Sequence, residues 1–453
     1  MEPWNRGTET DLIVSDRLSP LVISDPVSAP SALESAVYRK VTWRLLPFLM
    51  LCYVVAYLDR VNIGFAKLQM LDDLAFSETV YGLGAGMFFI GYFLFEVPSN
   101  VVLHRVGARL WIGRIMISWG LVSAAFMFVT SSTMFYALRF LLGVAEAGFY
   151  PGIILYLTYW FPSYRRARVI ALFMTAIPVS GIFGGPLSGW IMERFAGRQG
   201  LTGWQWLFVI EAIPALLLGF ATMWYLDNGI RSARWLSEDE KRLLEQRLRD
   251  DSAGIVQDRS VGSVLADPRI WHLSFIYFCA VMGQYGLTFW LPTLLQSAGV
   301  RGTLHIGLLT AVPYSVAVVA MLLFGRSADR RRERRWHAAT PLLIGAVGLW
   351  LTVQAGTQTG LAVLCLSIAA IGLISSTPLF WGLPTAFLGG AAAAAGIAAI
   401  NSIGNLAGFA SPYIVGWLRD STSSAASGMY VIAVVQLVGA GAILLVPKSL
   451  VSK

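Results

Sequence analysis

Charge is scarce in this chain. Lys, Arg, Asp and Glu together make up 13% of its 453 residues, about half the ~25% of an ordinary soluble domain. Hydrophobic residues reach 56% and the mean hydropathy is +0.64. That balance excludes a soluble globular protein and describes a chain that crosses a membrane many times. Cysteine is nearly absent: Cys52, Cys279 and Cys365 lie far apart in apolar stretches, which excludes a disulfide framework. The four histidines (His104, His272, His305, His337) form no short-spaced ligand pair, so no metal site follows and no cofactor is expected. The chain has no nucleotide-binding loop and no nucleophile–base constellation, so it is not expected to be an enzyme. No stretch is basic and aromatic together, which excludes a nucleic-acid groove. Residues 1–40 lack the apolar core of a cleaved signal; they are polar and acidic and read as a disordered cytoplasmic tail.

What is abundant is apolar sequence in membrane-length blocks. Six fall near 45–65, 80–103, 111–130, 134–160, 169–193 and 204–226, and six more near 270–295, 303–325, 338–356, 360–381, 384–414 and 428–447. Each is long enough to span a bilayer as a helix. The expectation is an all-α membrane protein of 12 transmembrane helices in two six-helix bundles. The tail occupies 1–40, the first bundle 41–226, a cytoplasmic linker 227–268 and the second bundle 269–453. In the linker, Ser237 and Glu240 have capping-box spacing and open a short charged helix, read as lying on the membrane surface. With the N-terminus inside, 27 of the 34 Lys and Arg residues fall on the cytoplasmic side, five outside and two within helices. This follows the positive-inside rule with both termini cytoplasmic. Lys67 is among the five assigned outside. A basic turn follows the second helix of each half, at Asn100–Arg109 and at Gly325–Arg330, as two parallel repeats would give.

Few charges interrupt the spans, and each is costly there. The stretch Leu45–Phe65 carries Asp59 and Arg60 side by side. Helical geometry points the two in different directions: Arg60 shares a face with Tyr53, Tyr57 and Gly64, whereas Asp59 looks to a neighbouring helix. In the fourth span Arg139, Gly143, Glu146 and Tyr150 share a face. Arg139 and Glu146 stand two turns apart, about 10 Å along the axis, and so can meet different partners. Carboxylates and arginines buried together make a proton site that responds to conformation. Asp59 and Glu146 are therefore read as exchanging protons, with Arg139 pairing one of them and Arg60 gripping a substrate carboxylate through its planar fork. The alternatives are a snorkelling pair at 59/60 and a static bridge at 139/146. Glu96 and Glu211, each just before a proline, are read as capping freed backbone groups. Tyr57, Tyr92, Gln284, Trp381, Asn401 and Asn405 are candidates for the walls of a substrate cavity, each with a plain packing alternative. The glycines at 181, 184, 185 and 189 read as a flexible, kinked helix at the interface between repeats.

The turn Gly325-x-x-x-Asp329-Arg330 resembles the signature loop of the major facilitator superfamily. The first-half copy departs from it, with Asn100 at the glycine position and His104 at the acid. Further motifs resemble one branch, the anion:cation symporters, permeases of sugar acids, tartrate and phthalate. They are Tyr57-Leu-Asp-Arg-Val-Asn-Ile-Gly64, Phe95-Glu-Val-Pro-Ser-Asn100, Arg139-Phe-Leu-Leu-Gly-Val-Ala-Glu-Ala-Gly-Phe-Tyr-Pro-Gly152, Phe380-Trp-Gly-Leu-Pro-Thr385 and Ala398-Ala-Ile-Asn-Ser-Ile-Gly-Asn-Leu-Ala-Gly408. The likeness covers residues 38–447. It implies proton-coupled import of a small organic anion, a sugar acid or hydroxydicarboxylate, by alternating access in the plasma (inner) membrane, by a monomer. It matches the branch's acids to Asp59 and Glu146, its arginines to Arg60 and Arg139, and its cavity positions to Tyr57 and Tyr92. An aromatic-carboxylate symporter, a proton-linked exporter or exchanger, and a non-transporting sensor are the competing readings.

Overall fold

The computed structural model describes residues 32–253, 266–331, 333–384 and 390–447. Among these residues there is no strand, and eleven helices are long and apolar enough to cross a membrane. The first half holds Ala32–Leu74, Glu78–Val106, Ala108–Phe128, Ser132–Thr158, Ser163–Arg194 and Gly203–Tyr225. The second holds Pro268–Ser297, Thr303–Arg331, Arg335–Gln354, Thr359–Phe380 and Ala425–Leu444. The remaining crossing, eleventh in order, comes in two pieces, Gly390–Asn405 and Ala407–Thr422. The twelve are called the first to twelfth spans below.

Local chemistry explains the ends. Ser77, Ser131, Asp267 and Ser424 each accept a hydrogen bond from a backbone N–H of the helix they open, satisfying donors a helix start leaves bare. Thr202 and Gln205 cap the sixth span reciprocally. The expected linker box forms too: Glu240 N–H donates to Ser237 Oγ at 3.3 Å and Ser237 N–H to Glu240 Oε2 at 2.8 Å. It opens the helix Glu238–Ala253. Arg247 of that helix pairs with Glu34 at 2.8 Å, Glu240 with Lys40 at 2.8 Å, and Asp251 accepts from Ser163 N–H at 2.9 Å. Part of the linker and residues 1–31 lie outside the described residues.

Two boundaries differ from the sequence reading. The first span starts at Ala32, inside the segment expected as a tail, and continues past a break at Asn62 to Leu74. Lys67, expected in an outer loop, is therefore inside the span and only 3% exposed. A single charge does not end a span when a carboxylate and an aromatic face replace its water: Glu78 Oε2 lies 2.6 Å from Lys67 Nζ, and the Trp290 ring centroid 3.5 Å away.

The outside of the bundle is apolar. On the eighth span Leu308, Val312, Val316, Val319 and Leu323 form an exposed stripe at helical spacing, a surface suited to lipid tails. The seventh span is instead enclosed by protein along nearly its whole length. The halves meet where the second span packs on Ala407–Thr422, the fifth on the eighth, and Ile63–Leu74 on the seventh. Glycine permits the closest of these approaches. A Cβ on Gly307 would stand 2.2 Å from the carbonyl oxygen of Gly185, and one on Gly189 2.3 Å from that of Thr303. Gly181, Gly185 and Gly189 of the fifth span are thus contact surface between the repeats, while Gly184 faces Leu58 of the first span. All these contacts lie toward the end of the bundle opposite the linker, where Lys67, Glu78, Arg419 and Asp420 also join the halves.

Candidate functional site

The first span places its two adjacent charges back to back. Asp59 turns into the first half, where its carboxylate accepts from Trp119 Nε1 and Ser123 Oγ of the third span, both at 2.8 Å, and from Asn62 Nδ2 at 3.4 Å. Arg60 turns the other way, to the centre of the molecule. Its guanidinium pairs with Glu146 and donates to Tyr285 Oη of the seventh span at 3.3 Å. It also sits over the rings of Phe88, Tyr92 and Tyr57, 5.2, 5.4 and 5.9 Å from their centroids, within cation–π range.

Glu146 ends the first piece of the fourth span. The helix breaks at Ala147 and resumes after Gly148, whose φ of +85° is open to glycine alone at low cost. A side chain there would also strike Ser99 Oγ. The break fixes the carboxylate at a helix C-terminus, where the backbone dipole works against its negative charge. Arg60 is its ion-pair partner. Arg139, expected to pair with an acid, does not. Fully buried, it donates to the carbonyl oxygens of Gly84 (3.4 Å) and Ala85 (3.2 Å), lies over Phe88, and leaves Nη1 without a partner. Two turns of helix separate it from Glu146, and Arg60 reaches that acid first.

Arg60 opens onto a narrow central cavity of about 60 Å³. Tyr57, Tyr92, Gln284, Trp381, Asn401 and Asn405 all line it with Arg60, so the seven side chains read from sequence as substrate contacts converge on one chamber. The three read as proton-coupling, Asp59, Glu146 and Arg139, stand behind its wall. Gln284 bridges the halves: its Nε2 donates to Tyr57 Oη at 3.2 Å, and its Oε1 accepts from Thr377 Oγ1 at 2.8 Å. Trp381, which could have been an interface anchor, lies 4.9 Å from the Tyr277 ring. Glu96 does not cap the backbone near Pro98; it meets Asn401 Nδ2 and Ser402 Oγ of the second half, each at 3.5 Å. Tyr53, Tyr150, Tyr277, Tyr285 and Thr377 also line the chamber and were not singled out as contacts. Tyr53 and Tyr150 share helix faces with Arg60 and Glu146, which is a readable signal; the second-half residues carried none.

A pocket faced by both halves, with one charged fork, amides, hydroxyls and aromatic walls, suits a small polar anion. The signature of the Major Facilitator Superfamily matches residues 49–412. The chain belongs to that superfamily. Within it, this transporter is 50% identical over 419 residues to "Putative metabolite transport protein NicT" of Pseudomonas putida, covering 92% of this chain and 96% of the relative. It is also 50% identical to a "Putative tartrate transporter" of Agrobacterium vitis, covering 92% of each. Its fold is similar to that of a bacterial homolog of the human lysosomal transporter Spinster (TM-score 0.70, 18% identity, 91% of this chain and 98% of that one).

Proposed function

We propose that this transporter imports a small organic anion, a sugar acid or a hydroxydicarboxylate such as tartrate, together with a proton. One observation carries the reading: among the described residues, the one arginine in the cavity wall is already held by Glu146. Two carboxylates on one buried guanidinium would leave a net negative charge in a medium of low dielectric, which is costly although Arg60 has donors to spare. A proton on Glu146 removes that charge, so an incoming anion binds Arg60 best when the proton binds with it. This is symport by competition for one cation. Asp59, hydrogen-bonded on both oxygens behind the wall, and Arg139, held on two carbonyls, shape the field in which that exchange occurs. Tyr57, Tyr92, Gln284, Trp381, Asn401 and Asn405 would bind the hydroxyls and the carbon frame.

Among the described residues, the spans of the two halves pack closely at the end away from the linker, while toward the linker Glu96 meets Asn401 and Ser402 at 3.5 Å. With the linker and both termini cytoplasmic, as the charge distribution favours, this is the state that releases substrate inward across a plasma (inner) membrane. A monomer contains the whole pathway. The "tartrate" in the name of a 50% identical relative supports the hydroxydicarboxylate class. The test is tartrate uptake into proteoliposomes under an imposed pH gradient. Accumulation that follows the gradient inward is expected; accumulation unaffected by collapsing it would defeat symport, and net movement against the inward gradient would make the protein an exporter.

A further inference from the structure

Two acids stand where their own helices disfavour them. Glu193 lies in the last turn of the fifth span, which ends at Arg194, and Asp420 in the last turn of the second piece of the eleventh, Ala407–Thr422. A carboxylate there meets the negative end of its own helix dipole. Each instead reaches the start of a helix in the opposite half. Asp420, of the second half, accepts from the N–H groups of Glu78 (3.2 Å) and Thr79 (2.8 Å) and from Thr79 Oγ1, at the head of the second span. Glu193, of the first half, accepts from Leu304 N–H at 3.2 Å, at the head of the eighth.

The first N–H groups of a helix have no partner within it. In the second span Ser77 Oγ fills that of Val80 at 3.2 Å, and those of Glu78 and Thr79 are filled from the other half. The eighth span follows Gly302, whose carbonyl oxygen accepts from Ile306 N–H at 3.1 Å but which has no side chain to cap with. The two contacts match in detail. Second and eighth spans hold the same place in their halves, as do fifth and eleventh. One turn before each acid is a glycine, in Gly189-Trp-Ile-Met-Glu193 and Gly416-Trp-Leu-Arg-Asp420. A Cβ on Gly189 would stand 2.3 Å from the carbonyl oxygen of Thr303, the first residue of the eighth span, and one on Gly416 2.3 Å from that of Glu78, the first residue of the second. In each half, then, a glycine seats the helix against the head of its partner and the acid one turn on caps it.

We infer that Glu193 and Asp420 are reciprocal clasps that hold the end away from the linker shut, each half capping a helix of the other. With the halves apart, each acid faces its own helix dipole uncompensated and each helix head loses its cap. The contacts belong to the closed arrangement and weight the balance toward it. Arg419, beside Asp420, pairs separately with Glu78 at 3.1 Å, so the clasp can be removed and that pair kept. The role rests on the rocking of two halves proposed above, and not on the proton.

The experiment is a spin-label distance measurement on the full chain in lipid nanodiscs. Labels go on Ala196→Cys and Thr357→Cys, exposed positions in loops of the first and second halves at that end; the three native cysteines are buried. Asp420→Asn and Glu193→Gln keep an acceptor oxygen and lose the charge, whereas Asp420→Ala and Glu193→Ala lose both. The ratio of long to short distances should rise from wild type to amide to alanine at each site, roughly two- to thirty-fold for each alanine, the range of a lost helix cap. In the double alanine variant the two increases should multiply. An unchanged distribution in the double variant overturns the proposal. So does a fall in Tm with distances unchanged, which would mean that the acids only steady their own helix ends; the near-isosteric amide variants keep this readable if an alanine variant fails to fold. If the distances shift as expected but tartrate uptake ignores the pH gradient, the symport reading fails while this one stands.

Discussion

Replacing Glu146 by Gln should convert a pH-dependent binder into a pH-independent one. On the competition proposed above, Arg60 is engaged by Glu146 in the wild type, so above the pH at which that acid ionises each bound anion brings one proton with it. Linkage of one proton to one ligand makes Kd rise tenfold per pH unit, which is about 1.36 kcal/mol per unit. Gln at 146 is neutral at every pH and cannot compete for the guanidinium as an anion. The log Kd slope should therefore fall from about one to near zero, with binding at alkaline pH tighter than in the wild type. The variant also leaves Arg60 without its counter-charge in the empty protein. Breaking a buried pair by removing one member costs roughly 3–5 kcal/mol, so the unliganded Tm should drop and ligand should restore more of it than in the wild type. Isothermal titration with tartrate between pH 6 and 9, in two buffers of different ionisation enthalpy, reads both slope and proton uptake. A slope near one retained in E146Q would refute the competition outright and move the proton elsewhere.

Three other outcomes follow from the same coordinates. Lys67→Met removes the cation that pairs with Glu78 and lies over Trp290; because Arg419 still pairs with Glu78 at 3.1 Å, the loss should sit near the low end for a buried pair, roughly 3 kcal/mol, and should loosen the end away from the linker, read as faster alkylation of a cysteine placed at the buried Ala85. Gly307→Leu puts a side chain against the Gly185 carbonyl; tartrate should still raise Tm, while uptake falls to background because the fifth and eighth spans no longer close. Burial alone would raise the Glu333 carboxyl, but the N–H groups of Trp336 and His337 and the His337 ring outweigh it and hold it below the usual glutamate range. Its contribution is present above the ordinary value of about 4.3 and is lost as pH falls through the lowered folded value, so Glu333→Gln should cost ~1 kcal/mol at neutral pH and flatten the acid limb of Tm against pH.

Much of this architecture was readable before any coordinates. Membrane-length apolar blocks announce helices because lipid allows little else, and the seven cavity residues stood out as polar or amphipathic groups on otherwise greasy faces. What could not be read was partnership. Arg139 was expected to pair with an acid and Arg60 with the substrate, and the packing of the second span on the fourth arranges them otherwise: it brings the Gly84 and Ala85 carbonyls under Arg139 and leaves Glu146 to Arg60. Lys67 was misplaced because a hydropathy window ends at a charge, whereas Glu78 and Trp290, distant in sequence, make that charge tolerable. Glu211 was read as serving a nearby proline, the closest need visible along the chain. Its true neighbours, Ser188 and Asn62, come from two other helices.

The helix that follows the sixth span has a bearing on how freely the two bundles can swing. Its described fastenings, to Glu34, Lys40 and Ser163, all land on the first bundle. A tether buckled to one side alone travels as cargo with that side. A rocking of the bundles of the kind proposed above breaks none of these bonds, and changes to Glu34 or Arg247 should show up in assembly and yield before they show up in turnover.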